Sequence, residues 1–154
     1  GGVDIKCSHI YEPLFKELIN EGFPIEPISV SDLKSEQVRY FQVQADIVVD
    51  MLTFGFFGAN IREGLMLGKT CVCFLRPEWL DSMREQIPDY VEELPVVSAT
   101  PKTIKKVLID LIQDPQKRID LGKKGREFAL KWHSAQSGGK KMDEIYSSIL
   151  NSRI

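Results

Sequence analysis

The sequence predicts an α/β fold, and three observations carry that expectation. Short apolar runs alternate with amphipathic stretches of helical period from residue 3 to residue 99. Two of the runs, 47–52 and 70–75, are apolar almost throughout, the pattern of parallel strands covered on both faces. Three helical stretches with no strand between them then close the chain. Together they predict one Rossmann-like domain over residues 1–154. It would be a doubly wound parallel sheet of about five strands with extra C-terminal helices.

The elements follow in order. Residues 3–7 make a short strand. Ser8 can cap a helix in which Ile10, Leu14 and Leu18 recur every four positions, and Gly22 ends it. Residues 24–30 read as a second strand, which Pro27 places at an edge or a strand start rather than a centre. Ser31 caps a helix to about Gln44, with Val38, Phe41 and Ala45 on one side. Residues 47–52 form a central strand interrupted only by Asp50. The turn Gly55-Phe56-Phe57-Gly58 and a helix over 59–67, ended by Gly68, lead to the next buried strand at 70–75.

Pro77 suits the first turn of a short helix, where its missing N–H has no partner to lose. Leu80, Met83 and Ile87 would face inward, and Pro88-Asp89 would end it. Residues 94–99 are the last strand. Thr100-Pro101 opens the clearest helix, with Ile104, Val107, Leu108, Leu111 and Ile112 in one stripe. Asp114-Pro115 stops it and caps the next, which runs through Arg118 and Phe128 towards Trp132. Ser134 begins the last helix, with Met142, Ile145, Tyr146 and Ile149 on one face.

Composition narrows the function. A chain of 154 residues can bury roughly 68–70% of its unfolded surface, enough for one core. Twenty basic against 22 acidic residues leave a net charge of −2, so nucleic acid is not expected as a partner. No apolar run reaches the roughly 18 residues of a membrane span. Cys71 and Cys73 alternate with Val72 and Phe74, so both should point to one face as small buried hydrophobes. With only His9 and His133 beside three cysteines, no metal site is expected. A reduced, cytoplasmic setting fits this cysteine usage.

The chemistry concentrates in residues 45–75. Glycine in a strand-end turn permits positive φ and lets a ligand approach the main chain. The first amides of the following helix lack internal partners and carry part of the positive helix dipole. A diphosphate can take up both. Glu63, one turn into that helix, is an acceptor for the vicinal hydroxyls of a ribose. The spacing is neither the dinucleotide fingerprint nor the lysine-bearing phosphate loop. Two turn glycines with a surface glutamate are the plain alternative.

Residues 45–75, Pro95-Val96-Val97, the helix from Thr100, Asp114-Pro115, Leu121-Gly122, Gly125-Arg126 and the closing helix to Leu150 resemble the C-terminal domain of GT-B glycosyltransferases, retaining enzymes of the group-1 type. The likeness covers most of the chain from about Asp46. It implies a nucleoside diphosphate sugar as donor substrate and no cofactor. The sugar would pass to a glycan or lipid-linked acceptor held by a facing N-terminal domain that this chain lacks. The resemblance assigns phosphate and sugar contacts to Phe57, Gly58, Ala59 and Asn60, and the ribose to Glu63. Many members carry a sugar-contacting glutamate eight positions before the ribose one; Gly55 stands there, and Asp50 is the nearest substitute. An Arg and a Lys that neutralise the diphosphate usually precede this region, and Arg62 and Lys69 do not match their places.

The resemblance thus implies the donor half of a two-domain enzyme, inactive by itself, in a chain whose full-length form is cytoplasmic or peripheral at the inner membrane face. Two alternatives share the fold: a non-catalytic sugar-nucleotide-binding or interaction module, and a sugar-nucleotide epimerase. Catalytic residues are not assigned. His9 and His133 have no sequence partner, and Trp79 and Trp132 read as packing. A receiver domain is set aside because Cys7-Ser8 and Ala99-Thr100 stand where it needs an acidic pair and a lysine. Ser8 and Ser98 lack a nucleophile-elbow context.

Overall fold

The computed structural model describes residues 7–30 and 33–151. In chain order the elements are α1 (Ser8–Asn20), α2 (Ser35–Gln44), β1 (Ile47–Val49), α3 (Ala59–Met66), β2 (Thr70–Cys73) and α4 (Pro77–Gln86). They continue with α5 (Pro88–Glu93), β3 (Val97–Ser98), α6 (Ile104–Gln113), α7 (Pro115–His133) and α8 (Ala135–Asn151). The strands form one parallel sheet in the order β1-β2-β3. Ile47 lies opposite Thr70, and Val72 opposite Val97.

The α/β class stands, but the sheet is smaller than predicted. Among the described residues it has three strands in sequential order, not five, and no reversal of strand order that would make it doubly wound. Residues 24–30 form no strand and are mostly exposed. Pro24 and Pro27 have no N–H to give a ladder, which removes two donors from a seven-residue run. The expected strand at 3–7 lies outside the described residues except for Cys7, as does the expected cap Ser31.

Both faces of the sheet are nevertheless covered, and strand alternation decides which residue meets which layer. Val48, Cys71 and Cys73 face a cluster made with Ile61 and Leu65 of α3, Tyr90 of α5, and Phe128 and Ala129 of α7. Ile47, Val49, Val72 and Val97 face the other way, onto Leu14 and Leu18 of α1 and Ile104, Leu108 and Leu111 of α6. Every residue of β2 is buried. Cys71 and Cys73 do share one face, as their alternation required. Burial of this apolar surface is the main stabilising term.

Several boundaries move for local reasons. Cys7, not Ser8, is the N-cap of α1, in a left-handed conformation with φ 59°. Pro88 starts α5 instead of only ending α4, because a proline at the first helical turn loses no hydrogen bond and already has a helical φ. The helix expected from Thr100 begins at Ile104, after a turn in which the Thr100 amide donates to Thr103 Oγ1 at 2.9 Å. Asp114 caps α7 by accepting from the Lys117 amide at 2.8 Å. Ser134 caps α8 through Ser137 N–H at 3.0 Å.

Helix α7 lies close against the α3–β2 corner. Thr70 Oγ1 donates to the Arg118 carbonyl at 2.9 Å, and the Arg126 guanidinium donates to the Met66 carbonyl. Gly122 and Gly125 are buried on α7 and face Gly68 and Leu65 respectively. The α8 residues Met142, Ile145, Tyr146 and Ile149 are exposed.

Candidate functional site

The carboxyl ends of the strands meet the starts of several helices. After β1, the Asp50 amide donates to the Val72 carbonyl at 3.0 Å, and the Phe74 amide donates to the Met51 carbonyl at 2.9 Å. Tyr11 of α1 donates its hydroxyl to the Asp50 carbonyl at 2.6 Å. Gly55 then pairs with Leu75 in a short parallel bridge, and its carbonyl accepts from the Arg76 amide at 2.8 Å. Ser98, at the end of β3, accepts from the Leu75 amide through Oγ at 3.0 Å. Hydrogen bonds therefore hold the predicted turn against the last residues of the sheet.

Gly55 has φ 103°, a conformation that side-chain-bearing residues rarely adopt. Arg76 lies directly over it: a Cβ at position 55 would come within 2.9 Å of the Arg76 side chain. The guanidinium donates to the Phe54 carbonyl at 3.0 Å and is otherwise exposed. A cation thus stands beside the glycine turn. The sequence pattern does not single it out. The available signal is its place one residue beyond the 70–75 apolar run, where a parallel strand delivers its next side chain to the carboxyl edge.

The turn leads into α3 through Gly58, which is its N-cap and contributes no side-chain acceptor to the first amides. Ala59 is exposed at the first helical position. Helices α1, α4 and α6 also begin near this edge, since Cys7 contacts Thr53 at 3.5 Å and α4 and α6 follow the ends of β2 and β3. Their dipoles add positive potential there.

The two polar residues of α3 lie against α2. Gln42 Nε2 donates to Asn60 Oδ1 at 2.8 Å and to Glu63 Oε2 at 3.3 Å. Gln42 is only 5% exposed, and its Oε1 is buried without a hydrogen-bond partner among the described residues. Asn60 therefore does not cap α3. Glu63 is half-buried and makes no ion pair among the described residues.

The aromatic residues of the turn separate into two roles. Phe57 is buried and meets Trp79 and His133 edge-on at about 6.0 Å, so its ring belongs to the core. Phe56 is 43% exposed and stacks with Trp79, while Phe54 tilts against it at 4.5 Å between ring centres. Behind the turn, the Tyr90 hydroxyl and His133 Nε2 are 3.1 Å apart. Burial, and then the charge of Arg62, holds the His133 imidazole below its usual pKa. Burial pushes the Tyr90 phenol up to about 12 despite an opposing contribution from Arg62.

Burial and then Asp50 push the Cys73 thiol up to about 12; burial, Cys73 and Asp50 also raise Cys71. These thiols stay protonated and packed, which excludes them as nucleophiles. Arg62 is exposed on α3, and Lys69 donates to the Val43 carbonyl at 2.7 Å. Lys69 begins the turn into β2 and so stands at the opposite end of the sheet from Arg76.

Two surface hollows lie away from the turn. One of about 370 Å³ is lined by Asp114, Lys117, Asp120 and Lys124, and one of about 210 Å³ by Asp46, Lys69 and Arg118. The first has mixed charge along one helix. The second sits at the amino end of β2. Among the described residues no group of three or more His, Cys, Asp or Glu could hold a metal, and no helix is long and apolar enough to cross a membrane.

Comparison of the chain with protein-family models, curated proteins and solved structures gives no match.

Proposed function

We propose that the carboxyl edge of the sheet binds the nucleoside diphosphate of a sugar donor, and that the chain is the donor half of a retaining GT-B glycosyltransferase. The observation that carries this reading is the order of groups after β1. A positive-φ glycine turn lies under Arg76, followed by helix amides with no side-chain cap and then a half-buried carboxylate one turn into α3. Amides and a guanidinium suit a diphosphate, and a carboxylate suits the hydroxyls of its ribose.

Breaking the bond between sugar and diphosphate develops negative charge on the leaving group. Fixed amide dipoles and Arg76 would stabilise that charge without reorganising. The acceptor would approach from a facing domain, as the resemblance implies. Phe56 offers an exposed ring at the turn, and Phe57 supports it from the core.

One observation favours a second reading, a binding module without transfer activity. The position expected to contact the donor sugar is Gly55, and Arg76 fills the space that a side chain there would need. Binding and turnover separate the two.

The melting temperature, followed against uridine and guanosine diphosphate, tests the shared premise. A ligand at ten times its Kd adds about 1.4 kcal/mol, or a rise of roughly 3–5 °C for a domain of this size. Arg76→Ala should reduce the rise. No shift with either nucleotide at millimolar concentration contradicts the proposal. Nucleotide binding without sugar transfer in the full-length protein selects the binding module.

A further inference from the structure

Gln42 presents a contradiction in energetic terms. It is buried on α2, yet one of its amide atoms, Oε1, has no partner among the described residues. Leaving such a group unpaired forfeits its hydration without return, whereas an apolar side chain of the same shape avoids that cost. The other amide atom, Nε2, makes both side-chain hydrogen bonds of Gln42 among the described residues, and both go to α3, to Asn60 and Glu63.

We propose that Gln42 is a positioning residue for Glu63, whose carboxylate it holds in place to receive a vicinal diol. This rests on the nucleotide-sugar reading above. The Nε2 group bridges two side chains one turn apart on α3, so it fixes the rotamers of both. Glu63 takes one hydrogen bond from it and no ion pair among the described residues, which leaves the carboxylate with acceptor capacity for a ligand. Held in this way, Glu63 and Asn60 present more acceptors than donors, and a diol supplies the missing donors. A cation fits less well, because the amide hydrogens of Gln42 point into the same group. Gln42 thereby trades stability at Oε1 for orientation at Glu63.

The trade gives a test that ordinary structural support does not pass. In Gln42→Met, which keeps the side-chain length and removes both amide atoms, the melting temperature should stay the same or rise. Affinity for uridine or guanosine diphosphate should fall about fivefold to tenfold. The 2′-deoxy and 3′-deoxy forms of the same nucleotide should lose affinity on the parent chain, and Gln42→Met should add little further loss with them. Gln42→Asn, which stays polar but withdraws the amide by one methylene, provides the second variant should Gln42→Met not fold, with the same loss of affinity expected. Equal loss for the ribo and deoxy nucleotides, or unchanged affinity in a folded variant, overturns the positioning role while leaving the nucleotide reading standing. No nucleotide binding by the parent chain overturns both.

Discussion

Gly122 has no room for a methyl group. A Cβ there would lie 2.2 Å from the Gly68 carbonyl oxygen, a backbone atom that cannot turn aside. Gly122→Ala should cost about 3 kcal/mol or more, the upper range for overpacking, and separate α7 from the α3–β2 corner. Urea denaturation measures it directly. Gly138 is the control: it lies in α8 with nothing within 4 Å of a built Cβ, so Gly138→Ala should stabilise by up to about 1 kcal/mol. The inward pointing of Cys71 and Cys73 was legible from alternation alone. The role of Gly122 was not, because helical periodicity marks a face but not the backbone that approaches it. Gln42, Arg76 and the Tyr90–His133 pair are illegible in the sequence for a similar reason. Each is defined by a partner 18 or more residues away in sequence.

Among the elements, helices are more legible in this sequence than strands, because caps and a sustained apolar stripe mark them. Asp114-Pro115 marks a stop and a start: Asp114 ends α6 and, accepting from the Lys117 amide, caps α7. Asp114→Ala should therefore cost about 1 kcal/mol, the usual value for a lost N-cap, again read from the urea midpoint. Helix α6, with its unbroken apolar stripe, packs Ile104, Leu108 and Leu111 into the core as its pattern required. The run at 24–30 failed as a strand because apolar content alone does not supply ladder donors. Pro88 marks the end of one helix in the sequence, and its fixed φ equally suits the first turn of the next. Within the candidate site, the glycine turn and α3 lie along the chain where the sequence places them. What the sequence could not reveal was that Glu63 and Asn60 face α2, a helix identified only by weak periodicity.

At the scale of the whole molecule, one titration couples the site to stability. Burial and Arg62 keep the His133 imidazole neutral below its usual pKa in the folded chain. The unfolded chain takes up that proton near pH 6.5. Below that value the unfolded state binds more protons, so stability falls as pH drops, and it keeps falling until the folded pKa is reached. Between pH 7.5 and 5.5 the urea midpoint should decrease. His133→Gln, which can still reach the Tyr90 hydroxyl, should show a smaller decrease. The sheet gathers the starts of α1, α3, α4 and α6 at one end and leaves the charged hollows beside α7 elsewhere. That asymmetry is the physical basis for placing an anionic ligand at the carboxyl edge.

Backbone amide chemical shifts recorded while uridine or guanosine diphosphate is added would show whether the carboxyl edge of the sheet holds the nucleotide. The largest changes should fall on residues 55–63, Arg76 and Gln42, with smaller ones elsewhere. Changes confined to the Lys117–Lys124 side of α7, or none at millimolar nucleotide, would contradict that placement.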